Sequence, residues 1–291
     1  MSEFRPVSLD DMAAYREFHD ASRTRAADYS FTNLWGWAEH YGLEWRFDDR
    51  LCWIRQTKPE VRYWAPMGWW KDVDWTATGE LTSGREFFRV PRKLRIIWEQ
   101  TLDLKMDVDD SRDQWDYLYS SDELANLSGN KFHKKKNLLN QFIKKYPDHV
   151  YTPMTLDCVE SVLKMQEEWC KWQECPKSEA LKAENNAVFR VLSNWDQLPG
   201  LLGGAITYQG KVIAYTVGEE LTQDSIVVHF EKGTTEYKGV YQAINCFFVR
   251  DVGDKFEFIN REQDLGDEGL RKAKESYNPV DYVRKNTVRF L

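Results

Sequence analysis

The spacing of apolar residues predicts an α/β chain in which strands and amphipathic helices alternate. The second half has the clearest pattern, because residues 202–208 and 211–219 alternate apolar and polar positions around a Gln-Gly pair, which is typical of a tight β-hairpin. The pattern then predicts, in order, a strand at 225–232, a helix after Gly239, a strand at 256–260, a helix at 266–277 and a strand at 288–291. We expect mostly antiparallel sheets with helices packed on them.

The first half is predicted to be mixed sheet with an aromatic core. Residues 43–47 and 51–56 flank a candidate Asp-Asp turn, and residues 62–65 form a further strand. Ten of the 13 tryptophans precede residue 116. Stacking on a substrate would account for them, but tryptophan also fills a core well when its N–H finds a partner. We therefore interpret them as a large aromatic core.

Two segments 147 residues apart resemble each other, which predicts a repeated fold. Residues 4–10 and 151–157 each read as a short strand that runs into a helix, with Ser8 or Thr155 as the N-cap. The length of 291 residues also suits two domains. We expect domains at 1–147 and 148–291, each α/β with a mixed, mostly antiparallel sheet.

The composition is that of a soluble globular protein, with 42% hydrophobic and 30% charged residues. No apolar run reaches 18 residues and no signal peptide opens the chain, so we expect a cytoplasmic protein without a transmembrane segment. The five cysteines include no Cys-x-x-Cys pair, and reduced thiols are the simplest expectation. Cys170 and Cys175 lack further ligands at zinc spacing, so no metal site is expected.

Residues 131–145 form the most basic segment, with six lysines, His133 and no acid. A helix here would turn Leu138, Leu139 and Phe142 inward and the lysines outward. Such a face suits an RNA backbone or phospholipid head groups, although the net charge of −7 means that any contact with nucleic acid must be local. The alternative is a solvated surface. The candidate phosphate-binding residues in this segment are Lys131, His133, Lys134 and Lys135.

The strand at 225–232 places His229 and Glu231 on one face and apolar residues on the other. A reaction that takes a proton from its substrate needs a base, and a partly buried Glu231 or His229 can serve. We favour Glu231 over His229 as the catalytic residue. The alternative is that the two are ordinary surface and edge residues.

Polar residues crowd the end of the predicted strand at 256–260, just before a helix. Such a junction is a common place for a site, because the first turn of a helix leaves N–H donors unpaired. In the helix, Leu270, Ala273 and Tyr277 are predicted to form a buried stripe beside Arg271 and Lys274. A solvated charged helix is the alternative. The candidate substrate-binding residues are Asn260, Glu262, Asp264, Arg271, Lys274 and Tyr277.

The segment from Asn260 to Pro279 also carries a resemblance. Its sequence, Asn-Arg-Glu-Gln-Asp-Leu-Gly-Asp-Glu-Gly-Leu-Arg-Lys-Ala-Lys-Glu-Ser-Tyr-Asn-Pro, resembles the signature of the phosphatidylglycerol lysyltransferase C-terminal domain family. The resemblance extends to residues 31–35, 119–142 and 229–245. It implies two GNAT (N-acetyltransferase-like) folds in tandem, similar to the Fem-type aminoacyl transferases. In those proteins the donor is a charged tRNA and the acceptor is an amine or hydroxyl.

The chain departs from ordinary acetyl-CoA-dependent GNAT enzymes, which carry Arg/Gln-x-x-Gly-x-Gly/Ala where a helix starts. Here the sequence is Glu236-Tyr-Lys-Gly239-Val-Tyr241, in which a carboxylate repels phosphate and a phenol blocks its close approach. Gly239 stays a candidate phosphate-binding residue. Sequence motifs of kinases, dinucleotide-binding dehydrogenases and serine hydrolases do not occur.

These observations predict an acyltransferase that uses aminoacyl-tRNA as the donor. The expected acceptor is a small molecule, a lipid head group or a cell-wall precursor. Two alternatives stay open. One is a CoA-dependent N-acyltransferase that uses acetyl-CoA with a degenerate pyrophosphate loop, and the other is a catalytically silent GNAT-like binding protein.

Overall fold

The structure, a computed structural model, describes residues 3–291, which fall into two compact units. Unit 1 contains the chain up to Asp116 together with Gln263–Glu268 and Tyr282–Leu291, and unit 2 contains Tyr117–Glu262 and Gly269–Asp281. This division differs from the predicted boundary at residue 147, because both units combine segments that are distant in sequence. The repeat of one fold at an offset of 147 residues stays a prediction.

Nine α-helices lie within residues 3–291. They are α1 (Met12–Ser22), α2 (Phe31–Tyr41), α3 (Arg92–Thr101), α4 (Ser121–Asn126), α5 (His133–Lys145), α6 (Leu156–Trp172), α7 (Glu179–Leu192), α8 (Val240–Val252) and α9 (Glu268–Glu275). The predicted basic helix is α5, and the helix predicted after Gly239 is α8. The structure also contains α2, α3 and α7, which the sequence analysis did not identify.

The strands of the first sheet are β1 (Arg5–Pro6), β2 (Glu44–Phe47), β3 (Leu51–Gln56), β4 (Arg62–Trp64), β5 (Met67–Gly68), β6 (Glu86–Pro91), β7 (Met106–Asp109) and, near the C-terminus, β15 (Lys285–Phe290). Their order is β1-β2-β3-β4-β6-β15-β7, with β5 beside β3. Only the β4–β6 pair is parallel among the pairings described here. The C-terminal strand therefore completes the sheet of unit 1.

The strands of the second sheet are β8 (Asp116–Ser120), β9 (Val150–Pro153), β10 (Leu201–Tyr208), β11 (Lys211–Thr222), β12 (Ser225–Gly233), β13 (Phe258–Asn260) and β14 (Asp281–Val283). Their order is β14-β8-β13-β12-β11-β10-β9. The β12–β13 pair is parallel, whereas β8–β13, β9–β10, β10–β11 and β11–β12 are antiparallel. The predicted fold class, mixed α/β with mostly antiparallel sheets, is confirmed.

The predicted hairpin between β10 and β11 is also confirmed. Its two turn residues, Gln209 and Gly210, have φ of 50° and 76°. Two positive φ values are typical of the type I′ turn, whose twist matches that of the strands it joins.

The aromatic core predicted for the first half is confirmed in unit 1. Trp45, Trp64, Trp75 and Trp98 are fully buried there. In unit 2, helices α5 and α8 belong to a separate apolar cluster with β10 and β11, in which Phe142, Ile206 and Ile244 are fully buried. These contacts hold α5 by its apolar face and leave most of its lysines exposed.

Two predictions need correction. Leu270 and Ala273 are exposed, because α9 ends at Glu275 and buries none of its residues, so the predicted buried stripe is wrong there. Tyr277 is buried, but it lies beyond the end of the helix. The structure also joins Cys170 and Cys175 in a disulfide, which contradicts the expectation that all thiols are reduced.

Candidate active site

The predicted polar residues of β12 and of the segment after β13 meet in unit 2. The two strands run parallel and side by side, with Val227 opposite Asn260. Because neighbouring parallel strands point the same way, residues after the end of β13 come close to the second half of β12. A register shift, in which Val217 faces Phe230 but Gly218 faces Val228, leaves His229 as a bulged residue at this point.

His229 lies between two carboxylates. Its Nδ1 is 2.9 Å from Glu262 Oε1 and its Nε2 is 3.3 Å from Glu219 Oε2. Burial by itself lowers the pKa of His229, but the hydrogen bonds and charges of Glu219 and Glu262 outweigh it and raise the pKa to about 9. At neutral pH the ring is therefore an imidazolium. In this triad, Glu219–His229–Glu262, two carboxyl groups therefore flank one cation.

Glu262 is held in an unusual backbone conformation. Its φ is 56°, in the left-handed region that costs a residue with a side chain roughly 1–2 kcal/mol. The Asn260 side-chain oxygen accepts the Glu262 N–H at 2.7 Å, and the Lys274 ammonium donates to the carbonyl oxygens of Arg261 and Glu262. Asn260 is fully buried and Lys274 half-buried. In this structure both residues position Glu262, and their predicted contact with substrate stays a prediction.

Glu231 pairs with a residue that the sequence analysis missed. Arg261 Nη2 is 2.9 Å from Glu231 Oε1, and the Asn245 side chain donates to Glu231 Oε2 at 3.0 Å. Both oxygens of Glu231 therefore already accept a hydrogen bond from a fixed partner. The role of Glu231 as a base stays a prediction.

Tyr277 links the Arg261 side chain to helix α5. The Arg261 guanidinium carbon lies 4.9 Å from the centre of the Tyr277 ring, and the Lys135 ammonium lies 4.1 Å from it. Gln242 donates to the Tyr277 hydroxyl at 3.3 Å. Burial raises the pKa of Tyr277 to about 12, so the phenol is neutral. Burial and the charge of Arg261 lower the pKa of Lys135.

The other candidate phosphate-binding residues have different surroundings. Lys131 forms an ion pair with Glu123 at 2.6 Å, whereas His133 and Lys134 are exposed. Gly239 begins α8 with φ of 88°, and a Cβ there would collide with the Leu138 carbonyl oxygen of α5. Close packing of the two helices therefore accounts for this glycine. Its predicted role in phosphate binding stays a prediction.

Two further candidate residues, Asp264 and Arg271, lie in different units. Asp264 belongs to unit 1, where it is fully buried, accepts the Gly266 N–H at 2.9 Å and pairs with Arg112 at 3.3 Å. Arg271 is half-buried on α9. The roles of both residues in substrate binding stay predictions.

The sequence analysis missed Glu219, Gln242, Asn245 and Arg261. Arg261 stands inside the quoted motif, directly after Asn260, and was the easiest to find. Glu219 and Asn245 belong to β11 and α8, and no spacing along the chain brings them to β12.

Within residues 3–291, no group of three His, Cys, Asp or Glu residues has a geometry suited to a metal ion. No helix in this part of the chain combines the length and apolar character that a membrane span requires.

Comparison with known proteins identifies relatives over most of the chain. A conserved protein of unknown function from Bacteroides thetaiotaomicron is 32% identical, with all of both chains covered and a TM-score of 0.88. The C-terminal domain of a putative lysylphosphatidylglycerol synthetase from Agrobacterium fabrum has a TM-score of 0.65 at 10% identity, over 97% of this chain and 92% of that one. FemX has a TM-score of 0.59 at 7% identity, over 100% of this chain and 98% of the FemX chain. The last two likenesses establish the fold alone.

An uncharacterised protein of Mycoplasmoides gallisepticum is 24% identical over 60% of this chain. The match spans 56% of the length of that relative.

The two sheets define a mixed α/β protein with a fold similar to those of the Agrobacterium fabrum domain and FemX. The family described as "Phosphatidylglycerol lysyltransferase, C-terminal" matches residues 20–289, and this chain belongs to that family. The resemblance carried by Asn260–Pro279 is thereby confirmed.

Proposed function

We propose that this protein is an aminoacyltransferase that moves an aminoacyl group from a charged tRNA to an amine or hydroxyl acceptor. Membership of the phosphatidylglycerol lysyltransferase C-terminal family supports this class of reaction. The description of the Agrobacterium fabrum relative as a putative lysylphosphatidylglycerol synthetase points the same way. The observation that carries the proposal is the Glu219–His229–Glu262 triad, in which two carboxyl groups flank one buried imidazolium.

The reaction needs a group that takes a proton from the acceptor. As the acceptor oxygen or nitrogen attacks the ester carbonyl, the new bond forms, the acceptor loses a proton and the bond to the ribose oxygen breaks. A positioned base for the first proton typically contributes a factor of about 10²–10⁴ to the rate. The same proton can then pass to the leaving ribose oxygen.

Charge favours Glu262 over Glu231 as that base. A proton on Glu262 leaves the His229 imidazolium its other partner, Glu219, whereas a proton on Glu231 would leave Arg261 as an uncompensated cation in a largely buried place. The Glu262 side chain is also 21% exposed, against 11% for Glu231. His229, with a pKa of about 9, already carries a proton at neutral pH and holds Glu262 in position.

A charged tRNA suits the exposed lysines of α5, which can pair with backbone phosphates. Acetyl-CoA suits the chain less well. The loop before α8 carries Glu236, and its Gly239 is packed against α5, where ordinary GNAT enzymes approach pyrophosphate. The candidate acceptors stay a lipid head group, a cell-wall precursor or a small molecule.

Transfer is tested with total tRNA charged with radiolabelled amino acids. Phosphatidylglycerol vesicles, soluble cell-wall precursors and small amines are supplied as separate acceptors, with labelled acetyl-CoA as a parallel donor. We expect transfer from tRNA, and we expect Glu262→Gln to lower kcat by about 10²-fold or more. Glu231→Gln, the matched control, should lower it less. Transfer from acetyl-CoA alone would overturn the proposal, and an equal loss in both variants would remove the assignment of the base.

The triad could instead bind the α-ammonium group of the donor, since it contains two carboxyl groups. Donors with an N-acetylated amino acid separate the two roles. A base is needed for both donors, so Glu262→Gln should lower kcat with each of them. If Glu262→Gln leaves kcat unchanged and only raises KM for the donor with a free amino group, Glu262 binds the ammonium group instead.

A further inference from the structure

Lys135 and Arg261 are two cations that share one aromatic ring in unit 2. Their charged groups lie 4.1 Å and 4.9 Å from the centre of the Tyr277 ring. Like charges that are brought together away from water repel each other, and such arrangements are concentrated at functional sites. Within the part of the chain described by the structure, no carboxylate lies within ion-pairing distance of Lys135.

In the described part of the chain, Arg261 has one carboxylate partner and one buried nitrogen without a hydrogen bond. Glu231 pairs with its Nη2, while its Nη1 is buried and has no hydrogen-bond partner among residues 3–291. Glu231 is thus the single carboxylate paired with the two cations in this part of the chain. An anion bound at Lys135 would balance the remaining charge.

The backbone around Lys135 favours an anion as well. Lys135 lies in the first turn of α5, which has no side-chain cap at its N-terminus and no acid in that turn. The N–H groups and dipole of a helix N-terminus attract negative charge. Lys135 is half-buried beside Tyr277, so its ammonium group is partly fixed rather than free in solvent.

We propose that Lys135 binds one phosphodiester of the RNA donor close to its aminoacylated end. Arg261, which shares the Tyr277 ring with Lys135, adds its positive charge. The inference rests on the proposed function, because it places that end of the RNA next to Glu262. Arg261 bonds to Glu231 and directly precedes Glu262 in the chain. Arg261 therefore connects the Lys135–Tyr277 pair with the triad, beside which the proposal places the adjoining ester.

The series of lysines along α5 favours RNA over a lipid. Beyond the half-buried Lys135, the helix carries exposed lysines at positions 134, 136, 144 and 145. A lipid head group presents one phosphate, whereas an RNA strand presents a row of them that several lysines can contact. Lys135 would bind the phosphate nearest the reaction, and the exposed lysines would bind others.

The test is equilibrium binding of an uncharged RNA minihelix that ends in CCA. A matched minihelix carries a neutral methylphosphonate at its last internucleotide linkage. We expect wild-type protein to bind the neutral form about tenfold more weakly, as for the loss of one charge-assisted contact. Lys135→Gln should bind the natural minihelix and the methylphosphonate minihelix with the same affinity. Lys134→Gln, an exposed neighbour in the same turn, should weaken both and keep the tenfold difference.

A tenfold difference that persists in Lys135→Gln would overturn the inference, as would no difference in wild type. So would Lys135-dependent binding of phosphatidylglycerol vesicles without binding of RNA. The assay needs no transfer, so it is separate from the test of the proposed function. If the protein passes the binding test but transfers no amino acid, the proposed aminoacyltransferase function is disproved and the phosphate site at Lys135 stands. Circular dichroism of Lys135→Gln checks its fold, and the change in the RNA leaves the protein untouched.

Discussion

At the scale of single residues, His229 shows how neighbours decide the role of a side chain. An isolated histidine buried to this extent would lose its proton, because burial disfavours the charged form. Glu219 and Glu262 reverse that outcome and keep the ring charged near neutral pH. The sequence pattern placed His229 on the correct strand, but its pKa follows from partners on β11 and after β13.

The raised pKa of His229 predicts a pH dependence of stability. Its folded pKa of about 9 exceeds the ordinary value of about 6.5, so its stabilising contribution is complete below pH of about 6.5 and is lost as pH rises through about 9. The shift corresponds to about 3 kcal/mol. Urea unfolding between pH 6 and pH 10 should show this fall, and NMR should show the ring titrating near pH 9.

His133→Gln provides the control for that measurement, because it removes an exposed histidine that lies outside the triad. A His229 ring that titrates near its ordinary pKa would contradict the positive charge assigned to His229 at neutral pH.

At the scale of elements, the contact between α5 and α8 fixes the position of Lys135. Gly239 starts α8 at the point where the α5 backbone passes, and Phe142 of α5 packs beside it. A glycine there satisfies two needs, a positive φ and a close helix approach. The sequence comparison with GNAT loops drew attention to Gly239 for a different reason, phosphate binding.

Gly239→Ala should therefore cost more stability than an alanine at another positive φ. Gly210→Ala is the matched control, since Gly210 has φ of 76° but no atom within 4 Å of the new Cβ. We expect a loss of about 1–2 kcal/mol for Gly210→Ala. Gly239→Ala should lose a further 1–3 kcal/mol, roughly, because Leu138 must move. Equal losses of unfolding free energy in the two variants would show that α5 can move away from the new Cβ without destabilising the protein.

At the scale of the whole molecule, the C-terminal strand brings a buried cation into unit 1. Lys285 of β15 bonds to Asp28 and, at 2.6 Å, to Asp116 Oδ1, and Arg89 lies 2.9 Å from Asp28. Lys285, Asp28 and Asp116 are almost completely inaccessible to solvent. Burial lowers the pKa of Lys285, but the two aspartates outweigh this and raise it. The lysine therefore stays charged and ties residues 28, 116 and 285 together.

Lys285→Met should destabilise the protein by about 3–5 kcal/mol, because it removes the ammonium group from the buried Asp116 and leaves Asp28 paired with Arg89 alone. Arg289→Met, on the same strand, is the control. Arg289 pairs with Glu86 at the surface and is 56% exposed, so its loss should cost about 0–1 kcal/mol. Both values come from urea unfolding. Similar losses for the two variants would mean that the buried ion pairs of Lys285 stabilise the fold no more than the surface pair of Arg289 with Glu86.

Most elements were predictable because they depend on neighbours in sequence. The β10–β11 hairpin follows from alternation around Gln209-Gly210, and the basic helix from its apolar positions at 138, 139 and 142. The short α9 was harder to predict, because periodicity indicates where a helix can form but does not show whether another element covers it. The Leu270 side chain, 43% exposed, illustrates that limit.

The sequence by itself determined the fold class, the family, and the polar residues on β12 and after β13, since these depend on local periodicity and on one continuous motif. Tertiary structure alone decided how those residues pair: His229 with Glu219 and Glu262, Glu231 with Arg261, and Lys135 with Tyr277. The physical reason is that charge and burial depend on distances across strands and helices. Neither composition nor spacing along the chain contains those distances.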